Sequence, residues 1–261
     1  MTGKGDSELQ KVIDLNADLG EGFGPWLMGN DSAMLSIVSS ANIACGFHAG
    51  DPETMRKTLA IAREKKVTVG AHPGYQDLIG FGRRTQSGIS EREVESIVAY
   101  QVGAFQAMAS LMGLSGKHVK THGALGNACA DDDKLADAVA RAIKAVDPKL
   151  AFVVMPGTAT ERACARAGLR SIREIYADRT YDDNFNLTSR SFKGAVIRDV
   201  EIAINHTMDM VSKGRLISVS GKTLKVEIDS VCVHGDNPSA VSMAGALRKA
   251  FEKEGWKISS I

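Results

Sequence analysis

The sequence has almost no net charge and lacks any basic block. Its 32 Lys and Arg residues against 31 Asp and Glu residues leave a formal charge of +1 at pH 7. Surfaces that bind nucleic acid or anionic membranes carry clustered Lys and Arg. We therefore expect neither nucleic acid nor a membrane as partner, and predict that the chain binds a small molecule or another protein.

Long apolar runs are missing as well. No stretch approaches the roughly 18 residues of a membrane-spanning helix. The N-terminal segment MTGKGDSELQ is polar, unlike a secretory signal. We expect a cytoplasmic protein in which residues 1–10 form a flexible tail.

Cysteines are few and widely spaced, and they form no CxxC pair: Cys45, Cys129, Cys164 and Cys232. This spacing argues against a structural zinc site and against a disulfide framework. Reduced thiols are expected, with Cys45 and Cys232 buried at the ends of strands.

Standard nucleotide-binding motifs are also absent. The segment GRLISVSGKT resembles a phosphate-binding loop, but six residues separate Gly214 and Gly221 where the motif requires four. The sequence after it continues as a strand rather than a helix. The segment GEGFG lacks the GxGxxG spacing. A nucleotide would therefore have to bind without either standard loop.

What the chain does contain is a repeated alternation of short apolar runs and amphipathic segments. Seven alternations without an obvious linker predict parallel strands joined by helices in one domain over residues 11–261. The even spacing favours a closed (β/α) barrel, and an open doubly wound sheet remains the alternative.

Local signals place the ends of several elements. Asp51 before Pro52 predicts the start of a helix, and Ser90 with Glu93 predicts a capping box. Four further segments are assigned by pattern: HVKTHGALGN as the fourth strand, Asp131 to Val146 as a helix opened by three aspartates, LISVSGKTLKVEI as a hairpin, and WKISSI as an eighth strand.

Histidines follow the ends of four predicted strands: His48, His72, His122 and His234. In a parallel barrel the carboxyl ends of the strands meet at one face, where ligands bind. We therefore predict that these four side chains converge on one site. His206, inside a helix, and His118, at a strand entrance, are predicted to be structural.

Carboxylates, an amide and basic side chains lie near the same strand ends and complete the candidate site: Asn16, Asp18, Glu21, Asp51, Lys120, Asp178, Arg179 and Asp236. Asp51 has helix capping as its alternative role. Lys120 can stabilise an anionic oxygen, and desolvation near His122 is expected to lower its pKa. Arg83 and Arg84 could hold a carboxylate or phosphate, or simply be solvated loop charges.

Metal binding is left open by the sequence. Two histidines and an aspartate would suit a divalent ion that activates water. There is no HExxH or other tight ligand spacing. A ligand set is therefore not identified.

Six segments resemble the LamB/YcsF family in order and spacing: DLNADLGEGFG, ANIACGFHAGDP, VGAHPGYQDLIGFGRR, VKTHGAL, YADRTY and VCVHGDNP. The resemblance implies a seven-stranded (β/α) barrel of the glycoside hydrolase/deacetylase type. It also implies a cytoplasmic protein that acts with B and C subunits to open 5-oxo-L-proline to L-glutamate. In that reaction ATP, with Mg²⁺, is a co-substrate and goes to ADP and phosphate. The sequence leaves open whether the chain forms homo-oligomers.

The chain departs from the usual family pattern at four positions. Thr121 and Gly126 stand where a proline and a tyrosine are typical, and Asn184 and Phe185 replace an aspartate and a glycine. Lys120 and His122 are retained, so these changes affect the expected shape of the pocket wall rather than its candidate catalytic groups.

For a lactam ring opening, the candidate residues suggest roles, several with alternatives. Asp18 or His48 would activate water, Lys120 with His122 would stabilise the negative oxygen, His234 or His72 would protonate the nitrogen, and Arg84 or Arg179 would hold the substrate carboxylate. Two other functions stay open. One is a stand-alone metal-dependent deacetylase or amide hydrolase, and the other is a non-catalytic protein that binds the lactam.

Overall fold

A computed structural model describes residues 10–234 and 240–260. Nearly all of the expected tail, together with Asp236 and Pro238, lies outside these residues. The strands of the described part are β1 (Val12–Leu19), β2 (Ser40–Ala44), β3 (Thr68–His72), β4 (His118–Val119), β5 (Ala151–Val154), β6 (Ser171–Tyr176), β7 (Arg215–Ile217), β8 (Thr223–Lys225), β9 (Ser230–Cys232) and β10 (Lys257–Ile258). Its helices are α1 (Asp31–Met34), α2 (Pro52–Lys65), α3 (Glu91–Leu111), α4 (Gly123–Asp131), α5 (Asp133–Val146), α6 (Ala159–Ala167), α7 (Val200–Lys213) and α8 (Ala240–Lys253).

Seven of these strands form a closed parallel barrel. Strands β1 to β6 pair in chain order, and β9 pairs with both β6 and β1. The ring is therefore complete, which confirms the predicted seven-stranded (β/α) barrel and excludes the open doubly wound sheet. The predicted hairpin is also confirmed, as β7 and β8 pair antiparallel outside the barrel.

The alternation of β1 explains how the barrel carries polar groups inside. Ile13 and Leu15 are fully buried in the apolar core, while Asn16 bonds across the barrel to Glu174 and Ser230. Because successive strand side chains point to opposite faces, alternate residues of β1 pack on the helices and line the barrel interior. The interior is thus a hydrogen-bonded polar network rather than an apolar plug.

The predicted helix caps are confirmed. The Asp51 carboxylate accepts the backbone N–H of Glu53 at 2.8 Å and of Thr54 at 3.0 Å. Ser90 and Glu93 form the capping box that opens α3. These caps fix where the chain turns from a barrel strand into its crossover helix.

The fourth predicted strand was wrong in length. Only His118–Val119 pairs in the sheet, and Gly123–Asp131 forms a helix that follows His122 directly. Gly123, at φ 52°, permits the turn that ends the extended segment. Helix α5 begins at Asp133 with Asp132 as its cap, so the aspartates divide two helices instead of opening one.

The last strand, β10, exists but adds no eighth member to the ring. It pairs with the first residues of β1, Val12 and Ile13, at the opposite end from the strand exits. No helix within residues 10–234 and 240–260 combines the length and apolar character needed to cross a bilayer.

The barrel interior leaves no room beside His118. A Cβ added to Gly70 in β3 would lie 2.2 Å from the His118 ring, which is bonded to Asn42 at 2.8 Å. We expect Gly70→Ala to lower the free energy of unfolding by about 1–3 kcal/mol in urea titrations. Gly103→Ala, in α3 with open space around it, is the control and should raise stability by about 0.5–1 kcal/mol. An equal effect of both variants would contradict the packing argument.

Candidate active site

Three of the four predicted histidines meet at the carboxyl ends of the strands. The rings of His48 and His122 stack with centroids 3.8 Å apart, and the centroid of His72 lies 4.9 Å from that of His122. The carboxylate of Glu21 completes this group, with one oxygen 3.7 Å from a nitrogen of His48 and 3.7 Å from one of His122. We call these four buried residues the histidine cluster.

Backbone carbonyls orient two rings of the cluster. Nδ1 of His72 lies 2.7 Å from the carbonyl of Lys120, and Nε2 of His122 lies 2.9 Å from that of Phe81. A carbonyl only accepts, so each of these ring nitrogens donates. The remaining nitrogens, Nε2 of His72 and Nδ1 of His122, face each other at 3.0 Å.

A buried lysine lies beside this cluster. Nζ of Lys120 is 3.1 Å from Asp18, 3.0 Å from Glu174 and 2.9 Å from the sulfur of Cys232, and it lies 5.0 Å from the ring centre of Tyr176. We call these five residues the lysine cluster. Two buried carboxylates therefore flank one buried ammonium group.

The expected direction of the Lys120 pKa was wrong. Burial acts to lower the pKa, as predicted, but Asp18, Cys232 and Glu174 outweigh it and raise the pKa of Lys120 well above its ordinary value. The nearby His122 indicated from the sequence that Lys120 would be desolvated, but it did not reveal the carboxylates of Asp18 and Glu174. The neighbouring carboxylates thus favour the charged form of Lys120.

Asp18 connects the two clusters. One oxygen contacts Lys120, and the other lies 3.4 Å from Nε2 of His72. Burial favours the neutral acid, but His72 and Lys120 outweigh it and hold the pKa of Asp18 well below its usual range. Asn42 also donates to Asp18, at 2.9 Å. The carboxylate is therefore ionised and held in place.

His234, the fourth histidine, lies outside the histidine cluster but has a donor atom within 4.8 Å of Asp18. Its Nδ1 is 2.8 Å from Asp178, and its ring stacks on Tyr176 with centroids 5.4 Å apart. Burial alone would raise the pKa of Asp178, but His234 outweighs it and the pKa is lowered. An imidazole oriented by a carboxylate is an arrangement that can move a proton.

Part of each cluster lines a cleft of about 800 Å³. Asp18, His72, Lys120 and His122 belong to its floor, and arginines form part of its wall: Arg83, Arg179 and Arg190. Arg179 donates to the carbonyls of Ala195 and Thr188, and burial together with Arg190 lowers its pKa. The cleft thus joins a floor of titratable groups to a cationic wall suited to an anionic ligand.

Other candidate residues have roles away from the cleft. Arg84 pairs with Asp77 and is not among the described residues that line the cleft. Asp51 caps α2 and accepts the N–H of Gly24 at 2.9 Å. Asn16 lies below the floor, where it donates to Glu174. Asp236 lies outside the described residues.

Two of the departures from the family pattern touch each other in the cleft wall. A Cβ on Gly126 would lie 3.0 Å from the carbonyl oxygen of Thr121 and 3.2 Å from its hydroxyl. A larger residue at 126 would require Thr121 to shift. Phe185 adopts φ 63°, a left-handed conformation that explains why glycine is usual there.

Several site residues were missed by sequence reasoning: Asn42, Glu174, Tyr176 and Arg190. Glu174 and Tyr176 lie within β6, whereas the sequence signals mark the strand exits, where Asp178 and Arg179 follow. The available signal was a glutamate on the same face of the strand as Ile172 and Tyr176, because a charge buried there needs a partner. Arg190 lies in a polar loop without any pattern.

The chain is a (β/α)-barrel protein with seven parallel strands. Its titratable side chains gather at the carboxyl ends of the strands, which is the face where barrels of this class carry their active sites. Within that class, the chain belongs to the LamB/YcsF family, whose model matches residues 13–261.

Known proteins agree with this assignment. The chain is 51% identical over 248 residues to the 5-oxoprolinase A subunit from Nitrobacter hamburgensis, covering 95% of this chain and 97% of the relative. It is similar to the crystal structure of a lactam utilization protein from Thermus thermophilus, with TM-score 0.89, 41% identity, and 96% and 100% of the two chains covered. The catalytic domain of a peptidoglycan N-acetylglucosamine deacetylase from Eubacterium rectale shares the fold at TM-score 0.53 and 9% identity, covering 100% of this chain and 92% of that domain.

Proposed function

We propose that this chain opens the lactam ring of 5-oxo-L-proline to give L-glutamate, as the A component of an ATP-dependent 5-oxoprolinase that includes B and C subunits in the cytoplasm. The observation that carries the proposal is the floor of the cleft, where the charged Lys120 lies between Asp18 and Glu174. The names of the Nitrobacter and Thermus relatives support the substrate class.

Ring opening requires water on the carbonyl carbon, cleavage of the C–N bond and a proton for the nitrogen. ATP would phosphorylate the lactam oxygen with help from the partner subunits, because this sequence has no standard nucleotide loop. Water then adds to the ring carbon, and the C–N bond breaks as the nitrogen gains a proton. A second water releases phosphate from the resulting acyl phosphate, so ATP ends as ADP and phosphate.

The geometry supports one choice among the roles that the sequence left open. Asp18 lines the cleft and accepts the proton of water, whereas His48 is not among the described residues of its lining. Lys120 stabilises negative charge on the oxygen. His234, oriented by Asp178, gives its proton to the leaving nitrogen.

Substrate binding falls to the cationic wall. Arg179 lines the cleft and holds the carboxylate of the lactam, since Arg84 is already paired with Asp77. Arg190 is near enough to Arg179 to lower its pKa, so a bound anion would offset the repulsion between the two guanidinium groups. Arg83 completes this side of the cleft.

The test is glutamate release from 5-oxoproline by the chain alone and with its B and C subunits, with and without ATP. We expect glutamate only in the complete mixture with ATP, and a loss of about 10²–10⁴-fold in turnover for His234→Gln. His206→Gln, in α7, should retain full turnover. ATP-independent glutamate release by the chain alone, or full turnover by His234→Gln, would overturn the proposal.

A further inference from the structure

The histidine cluster joins four side chains that come from separate parts of the chain. Glu21 follows β1, His48 follows β2, His72 ends β3, and His122 precedes α4. One donor atom from each lies within 4.8 Å of the others, and all four residues are buried. Ring opening as described above uses Asp18, Lys120 and His234, and leaves this cluster without a role.

Hydrogen bonds fix the tautomers so that two lone pairs oppose each other. His72 donates one N–H to the backbone carbonyl of Lys120, and His122 donates one to that of Phe81. Phe81 holds its carbonyl there from a left-handed conformation, φ 53°, which a residue with a side chain rarely adopts. The other two ring nitrogens then face each other at 3.0 Å, and two lone pairs at that distance repel unless a positive charge lies beside both.

His48 adds a buried side chain whose polar atoms are not used. Its side chain is fully buried, and among the described residues neither ring nitrogen has a hydrogen-bond partner. A buried polar group without a hydrogen-bond partner lowers the free energy of unfolding by about 1–3 kcal/mol. The backbone makes room for this ring, since a Cβ on Gly82 would lie 2.7 Å from His48 and one on Gly74 would lie 2.6 Å from its Nδ1. The position is therefore built for an imidazole.

We propose that Glu21, His48, His72 and His122 hold one divalent transition-metal ion. Three imidazole nitrogens and one carboxylate oxygen suit zinc, cobalt or a similar ion rather than magnesium or calcium, which prefer oxygen ligands. Ligating histidines usually donate their other ring N–H to a carbonyl or carboxylate. His72 and His122 already make that second contact.

A shared proton is the competing explanation for the close pair of nitrogens. A proton between His72 and His122 would remove their repulsion. It would leave both nitrogens of His48 without a partner and would not account for the convergence of Glu21. One ion would contact all four groups and give His48 a partner.

The site adjoins the floor of the cleft. His72 and His122 line the cleft, and Nε2 of His72 lies 3.4 Å from Asp18. An ion bound there supplies a Lewis acid that lowers the pKa of water or polarises an oxygen.

Direct metal analysis tests the proposal. The purified chain is stripped with a chelator, incubated with Zn²⁺ or Co²⁺, passed through gel filtration and measured by elemental analysis. We expect about one ion per chain and a cobalt absorption spectrum of nitrogen ligation. His48→Gln and Glu21→Gln should weaken binding by about 100-fold, because even groups that only orient a ligand contribute about 10–100-fold. His206→Gln is the matched control and should bind as the parent does.

Several outcomes would overturn the site. Less than about one tenth of an ion per chain would do so, as would unchanged binding by both variants with native circular dichroism. A loss of metal in His234→Gln but not in His48→Gln would place the ion among Asp18, Cys232 and His234, whose donor atoms also lie within 4.8 Å. Glutamate release at full rate by the metal-free complex would remove the ion from the reaction while leaving the proposed function intact.

Discussion

Replacement of Lys120 by methionine is expected to reduce glutamate release by the assembled complex by about 10²–10³-fold, the usual effect of losing one group that stabilises a developing oxyanion. It should also lower the free energy of unfolding by about 3–5 kcal/mol, because the substitution leaves the Asp18 and Glu174 carboxylates buried without their shared cation. The methionine side chain retains most of the volume, so packing contributes little to either effect.

Two measurements separate the electrostatic role from general damage. Lys117→Met changes an exposed lysine three residues earlier and should leave turnover and urea stability unchanged. Lys120→Met combined with Glu174→Gln should recover part of the lost stability, since the double variant removes one of the two uncompensated carboxylates. Turnover within about threefold of the parent for Lys120→Met would exclude this ammonium from the chemistry.

The strand exits could be predicted from the sequence because they depend on local chemistry. A buried apolar run followed by glycine, a polar residue and a helix cap indicates a strand that turns into a helix, as at Asp51. Once the barrel was inferred, His48, His72 and His122 had to meet, since parallel strands end at one face. Fold and position of the site therefore followed from the same periodicity.

The pairings inside the barrel could not be predicted in the same way. Glu174 contacts Lys120 and Asn16 across distances of 54 and 158 residues along the chain. No local pattern encodes which inward side chain lies opposite another, because that depends on the register of seven strands. The pKa of Lys120 was predicted in the wrong direction for this reason.

Helix α4 shows a second reason why sequence-based prediction failed. Its sequence, GALGNACAD, contains two glycines and short apolar residues, and its apolar spacing fits a strand as well as a helix. Packing decides, as Ala124 and Leu125 are buried in the core. A short segment of this kind takes its structure from tertiary contacts rather than from propensity.

The barrel interior is also expected to make the protein sensitive to acid. Burial, with Lys120 nearby, lowers the pKa of His118 from 6.5 to about 3. The pKa values of His48 and His122 are shifted in the same direction, mainly by burial. The unfolded chain binds protons at these histidines near pH 6.5 and the folded chain does not, so stability is full above that pH and falls as the pH drops toward 3.

A variant at His118 isolates the contribution of one histidine to this loss of stability. The His118 ring bonds to the side-chain oxygen of Asn42, and a glutamine at 118 could donate the same hydrogen bond without titrating. In urea titrations between pH 7 and pH 4 we expect the parent to lose stability more steeply than His118→Gln, by up to about 1.4 kcal/mol per pH unit, the value of one proton. Burial also lowers the pKa of His206 in α7, but this residue is only partly buried, so His206→Gln should flatten the slope less than His118→Gln does. Identical slopes for the parent and His118→Gln would mean that His118 is protonated within the folded barrel, and the interior network around Asn42 would then have to accommodate a charge.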